Sequence, residues 1–200
     1  MSNTTITPDT ATARKAMIDS QLRTSGVNEE YILARMLAVP REQFVSQDMA
    51  AVAYIDRAIA LEGEAHLASP LFYGKLLLEA APRPEDRVLV VEGGTGYLAD
   101  LVRPLVADLA TVSANDAAQG NVPDGNFTLI LVDGAIEALP DALVDALDDD
   151  GLIVSGLILR QVTRLASGRK IAGQVTLSVV EDLGIPVLTA FNRPKTWTFS

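Results

Sequence analysis

The chain alternates between stretches whose apolar residues fall at helical spacing and short runs that are apolar throughout. Ala13, Met17, Ile18, Gln21 and Leu22 recur every three or four positions and predict a helix. Thr7-Pro8-Asp9 offers a cap with proline at the first helical position, and Gly26 offers the stop. Asn28 can cap a second helix through Ile32, Met36 and Leu37, which must end before Pro40. Residues 40–68 lack a strong period and read as a long ordered segment with a short helical turn. Ser69-Pro70 restarts a helix with Leu71, Phe72, Lys75, Leu76, Leu78 and Glu79 on its partly buried face, and Pro82 and Pro84 end it.

A different rhythm begins with a predicted strand at Arg87–Val91. Its run Val88–Val91 is continuously apolar, as expected of a parallel strand covered on both faces. Leu98–Val106 fits a helix that Pro104 ends or kinks. Leu109–Val112 is a short strand, Phe127–Val132 a strong one, Leu139–Leu147 a helix, and Leu152–Val154 the start of another strand. Hairpin logic follows: Val162–Ala166 and Ile171–Val180 flank a turn at Ser167-Gly168, with short segments near Val187–Phe191 and Thr196–Phe199. Strand-helix repeats closed by an antiparallel C-terminal hairpin are the layout of a Rossmann-like class I methyltransferase fold, α/β with three αβα layers. One domain over 1–200 is expected, with a helical part (1–82), a core (83–157) and a hairpin and tail (158–200), since no linker or repeat divides it.

Composition narrows the chemistry. Two hundred residues at 48% hydrophobic content can bury a core without a second domain. A formal charge of −10 provides no field to draw the chain to nucleic acid or anionic lipid, so neither is an expected partner. With no cysteine there is no disulfide, thiolate ligand or thiol nucleophile. The polar start MSNTTITPDT lacks a signal pattern and no apolar run reaches spanning length, so a cytoplasmic location is expected. His66 is the only histidine, which excludes a two-histidine metal site or a His-paired nucleophile within one chain, and no metal is expected. Asp148-Asp149-Asp150 reads as a solvated helix end.

The sharpest motif is Val88–Tyr97, VLVVEGGTGY, a strand running into a glycine turn. Such a turn lets backbone pass close beneath a bound molecule, because a side chain there would occupy ligand volume. A complete S-adenosylmethionine turn places an acid on the strand and then Gly-x-Gly-x-Gly. Here Val90 stands at the acid and Glu92 at the first glycine, while Gly94 and Gly96 remain. The cofactor set on this reading is Glu92, Gly93, Gly94, Gly96 and Tyr97. Glu92 either meets the cofactor's ammonium or sulfonium charge or is a solvated carboxylate at a lapsed site; the second is the plainer reading.

Several blocks then carry a family resemblance. Arg14, Met17, Gln21-Leu22 and Gly26-Val27, the run VPREQFV at 39–45 and AYID at 53–56, ahead of the glycine turn, resemble protein-L-isoaspartate O-methyltransferase. Phe127–Pro140 is similar to the family's fourth strand and following helix, and the ending LTAFNRPKTWTF looks like a divergent bacterial branch. The resemblance implies S-adenosylmethionine as cofactor, carboxyl O-methylation of protein or peptide substrates with isoaspartyl residues, and protein repair. It also implies a hydroxyl near the isoaspartyl carboxylate. An ungapped count puts Ala68 there, and a one-residue shift lets Ser69 substitute, although Ser69 before Pro70 is more simply a helix cap. Tyr54 and Asp56 match a block that shapes the substrate side, which makes Ser69 and Asp56 the candidate catalytic residues; Arg41 could as easily tie down a loop.

Two further departures concern the cofactor. The acid that binds ribose at the end of the second strand is replaced by Ser113; either Asp116 reaches back to take its place or Ser113–Asp116 is a turn cluster, the plainer reading. The family spends a longer stretch between Gly96 and Phe127, and Asp116–Asn126 is too short and too turn-rich to hold its next helix and strand, so the third strand and its adenine-contacting acid are expected to be missing. Leu109–Val112 then becomes an edge, and a partner chain covering it would give a homodimer. Asp133-Gly134 lies at the carboxyl edge of the sheet and reads equally as a ligand position or a turn. The residues favour a non-catalytic or weakly cofactor-binding member serving as a binding or assembly module. The alternative is an active methyltransferase that repairs isoaspartyl residues or methylates another carboxylate.

Overall fold

The computed structural model describes residues 9–193. Asp9 caps the first helix, accepting from the Thr12 backbone N–H at 3.1 Å, while Thr7 and Pro8 lie outside the described residues. Helix α1 (Thr10–Met17) continues through a π turn, Ile18–Leu22, and a 3-10 turn, Arg23–Ser25, to Gly26. Gly26 has φ +85°, the left-handed stop that glycine takes without strain. Helix α2 (Glu30–Ala38) ends ahead of Pro40 as expected, but Glu29 rather than Asn28 sits at its cap and makes no side-chain bond. Residues 40–68 hold 3-10 turns at Arg41–Phe44 and Gln47–Val52 and a small antiparallel pair, β1 (Ile59–Ala60) with β2 (His66–Leu67). Two-residue strands are too short to leave a period in sequence.

Ser69 starts α3 (Pro70–Ala80), its Oγ accepting from Phe72 N at 3.2 Å. Ser69→Ala is expected to cost about 1 kcal/mol of stability, read from urea unfolding; an unchanged midpoint would show that this cap contributes nothing.

The main sheet comprises β3 (Arg87–Glu92), β4 (Asp108–Ser113), β5 (Phe127–Ile136), β6 (Leu147–Leu159), β7 (Val162–Ile171), β8 (Gln174–Val175) and β9 (Ser178–Asp182). Its order is β4-β3-β5-β6-β7-β8, with β9 also on β7. The pairs β3–β4, β3–β5 and β5–β6 are parallel and the later pairs antiparallel. Helices α4 (Tyr97–Val102), α5 (Ala114–Ala118) and α6 (Asp141–Ala146) make the crossovers, and Pro104 turns the end of α4 into a 3-10 turn. Strand β4 is the edge; among the described residues no strand lies outside it, and the segment after it forms α5 and a turn. Apolar residues of β3 alternate between faces: Val88 and Val90 pack with Leu76, Leu77 and Tyr97, and Leu89 and Val91 with Ile130, Val132 and Leu143. This double burial makes the fold a Rossmann-like α/β sandwich.

Three expectations are corrected. Strand β7 runs straight through Ser167-Gly168, and the hairpin turns instead at Arg160-Gln161, both at positive φ (+53° and +64°). That is the backbone of a tight primed hairpin turn, made by residues lacking its usual Asn-Gly signature. Gly168 is needed for close approach, since a Cβ there would lie 2.5 Å from the Thr176 carbonyl oxygen. The aspartates 148–150 lie on the exposed beginning of β6, because α6 stops at Ala146. Asp133-Gly134 does not end its strand: β5 continues to Ile136 through a bulge, where residues between Leu131 and Ala135 face only Ser155 of β6. Among the described residues no helix is long and apolar enough to cross a membrane, and no three side chains cluster to hold a metal.

Candidate functional site

Two cavities open beside the carboxyl ends of the parallel strands, where α/β sheets bind ligands. The first, about 260 Å³, is lined by Glu62, Ala65, Glu92, Gly94, Ser113 and Leu188 among others. A second of about 560 Å³ includes Asp56, His66, Ser69, Thr163 and Pro186. The same two segments line both: Glu64 and Ala65 face one and His66 the other, as do Val187 and Pro186. They form a partition. His66 N donates to Gly93 O (3.2 Å), Leu188 N to Ala135 O (2.9 Å), and the Thr189 hydroxyl to Glu64 Oε2 (2.8 Å).

Glu92 lies at the mouth of the glycine turn, and its Oε2 accepts from Gly96 N at 3.0 Å. Burial pushes its pKa up and nearby Asp100 adds to this, while the Gly96 N–H bond opposes it. Glu92 is therefore not a solvated carboxylate: one of its oxygens closes its own turn, while the side chain also lines the first cavity. Gly94, at φ +102°, has Ala65 seated on it, so that a Cβ there would lie 2.6 Å from the Ala65 Cβ. Gly93 leaves room for Asp133, whose backbone oxygen a Cβ would strike. Gly96 (φ +75°) shapes the turn without lining the cavity. Tyr97, grouped with the cofactor residues on the sequence, buries its ring edge-on to Phe44 and Tyr73 and does not face the cavity. Asp116 is similarly occupied: Ser113 Oγ donates to Asp116 Oδ2 at 2.6 Å and accepts from Asp116 N at 3.0 Å. Asn115 lines the cavity in its place.

Asp56 and Ser69 are brought together on the second cavity with His66, away from the glycine turn. Tyr54 is a bolt rather than a cleft residue. Its hydroxyl accepts from Arg14 Nε at 2.7 Å and bonds to Glu42, and burial together with Glu42 pushes its pKa to about 12. Arg41 ties loops together, fully buried, donating from Nε to Ala53 O and from Nη2 to Ala68 O, both at 2.7 Å. Its guanidinium lies over the rings of Tyr73 and Tyr97, at 5.6 and 5.1 Å from their centroids.

The sequence reading did not single out Ala65 or the Glu64–Thr189 latch, because no local pattern joins positions so far apart. It left Asp133 open. The structure buries Asp133 with no well-formed hydrogen bond to either carboxylate oxygen, although the Tyr73 hydroxyl and the Gly93 N–H lie close enough to pull its pKa down in part. Burial, then the charge of Glu92, pushes its pKa up to about 7.

The profile of the protein-L-isoaspartate(D-aspartate) O-methyltransferase family matches residues 12–119. The chain belongs to this family. A protein-L-isoaspartate O-methyltransferase of Koribacter versatilis is 29% identical over 193 residues, covering 84% of this chain and 87% of the relative. The Methylorubrum extorquens enzyme of that name is 30% identical over 191 residues, covering 81% and 84%. In fold, the chain resembles a Plasmodium falciparum member of the family solved with S-adenosyl-L-homocysteine (TM-score 0.69, 16% identity, 90% of this chain and 97% of that one). Another protein-L-isoaspartate O-methyltransferase structure gives a TM-score of 0.70 at 18% identity, covering 88% of this chain and 65% of that one.

Proposed function

We propose that this chain is a non-catalytic or weakly cofactor-binding member of its family, serving as a binding or assembly module. Ala65 seated on Gly94 is the observation that carries this reading, because it fills the space over the turn that a cofactor would use. Glu92, Ser113 and Asp116 support it, because the Gly96 N–H takes up one Glu92 oxygen and Ser113 and Asp116 bond to each other. The cavity of about 260 Å³ is also below the roughly 300–1,000 Å³ of ordinary small-molecule sites. On this reading S-adenosylmethionine does not fit the residues present.

Calorimetric titration with S-adenosylhomocysteine tests this. Binding weaker than about 1 mM is expected, less than roughly 4 kcal/mol of binding free energy; micromolar binding would overturn the reading. Glu92→Gly should leave that affinity unchanged or improved, at a stability cost of about 1 kcal/mol from added backbone freedom and the lost Gly96 contact. A tenfold or greater loss of affinity in the folded variant would instead make Glu92 a working ligand.

One observation favours the alternative of an active methyltransferase. Glu62, Glu64 and Glu92 line the first cavity, and carboxylates there suit the cofactor's positive charges. On that reading Asp56 and Ser69 would face protein or peptide substrates with isoaspartyl residues across the second cavity. Methyl transfer to an isoaspartyl peptide, measured on the purified chain, separates the two readings.

A further inference from the structure

Asp133 lies beside the residues that part the two cavities, though it lines neither. From the glycine turn, Gly93 lies so close that any Cβ would approach the Asp133 carboxylate at 3.2 Å. The neighbouring residue Gly134 is covered by Leu188 of the partition, and both flanks of that partition hang on Ala135, which donates to Pro186 O at 2.7 Å and accepts from Leu188 N. The bulge in β5 takes residues 132–134 out of the regular pairing with β6 at this point. Three charged or titratable groups face Asp133 from the elements around it: Glu92 at the end of β3, Tyr73 from α3 and Arg41 from the 3-10 turn. Neighbouring β6 brings only Ser155, whose hydroxyl is committed to Gly156 O.

We propose that Asp133 is a positioning residue for the glycine turn: its neutral form holds the partition closed, and its ionisation releases the partition so that the two cavities merge. A neutral carboxyl can stay in this buried site, but a carboxylate held only loosely by the Tyr73 hydroxyl and the Gly93 N–H is disfavoured there, the more so beside Glu92. Arg41 eases the carboxylate only through its charge, since two of its donors are committed to Ala53 and Ala68 and its Nη1 makes no hydrogen bond to Asp133. Relief comes from admitting water, and the thinnest cover is the partition itself. Burial and then the Glu92 charge push the Asp133 pKa up to about 7, so the event falls near neutral pH. This goes beyond the functional reading above and stands whether or not a cofactor binds.

Hydrogen exchange of the His66, Gly96, Ala135 and Leu188 amides between pH 5.5 and 8.5, corrected for the intrinsic pH dependence, is the test. In the wild-type chain, protection should fall at least tenfold through neutral pH at His66, Ala135 and Leu188 together. Asp133→Asn should stay protected throughout. Glu92→Gln, which keeps an acceptor for Gly96 N but removes the repelling charge, should move the midpoint to lower pH. Wild-type protection that does not change with pH would overturn the proposal. So would the same fall in Asp133→Asn or, should that variant not fold, an unmoved midpoint in Glu92→Gln.

Discussion

Arg41→Ala is expected to lose about 3–5 kcal/mol of stability, the largest single-residue effect in the chain, because hydrogen bonds to a buried charged group contribute about 1.5–3 kcal/mol each. The Ala53 and Ala68 carbonyls would be left without these donors, and two buried tyrosine rings would lose the guanidinium that lies over them. Arg41→Lys should recover less than half, since a compact ammonium lacks the fork that reaches both carbonyls at once. Urea unfolding of the three proteins measures this. A loss under about 1 kcal/mol for Arg41→Ala would show that water replaces the missing donors.

The second large effect has the opposite sign. Asp133→Asn is expected to raise stability at pH 8 by roughly 2–4 kcal/mol, with the gain shrinking towards zero near pH 4. In the unfolded chain this carboxyl ionises near 3.8, and in the folded protein near 7. Between those values the folded state holds a proton that the unfolded state has released, so each pH unit upward costs the native state about 1.4 kcal/mol. Its contribution is thus fully present below about pH 4, declines up to about pH 7 and is flat above. Asparagine keeps the shape and cannot ionise, but its amide is still buried without partners, which limits the gain. Unfolding free energies of both proteins at pH 5, 6, 7 and 8 decide the point, and a variant-minus-wild-type difference that ignores pH would sink it.

The sheet was legible because its strands are apolar on both faces: Val88–Val91 and Phe127–Val132 could be nothing else of that length. Caps read from Ser69 and stops from Gly26 and Pro40 held for the same local reason. The hairpin turn failed because Arg160-Gln161 adopts a backbone that residue type disfavours, which the long β6–β7 pairing imposes from outside. At the candidate site, the substitutions at Val90, Glu92 and Ser113 were visible as departures, but not what their side chains do instead. That depended on Gly96 N–H and Asp116. Ala65 on Gly94, and Asp133 between the cavities, are products of tertiary packing, and no spacing rule reports them.

The shortened crossover between β4 and β5 bears on how fast the chain folds. Parallel pairing is slow because strands distant in sequence must meet before any contact rewards them. The entropy of closing such a loop grows with the logarithm of its length, and each halving saves about 0.6 kcal/mol. With only α5 and a turn between Ser113 and Phe127, β5 reaches its place against β3 sooner than it would across an intervening helix and strand. The loss that bares one edge of the sheet also lowers the barrier to nucleating its centre.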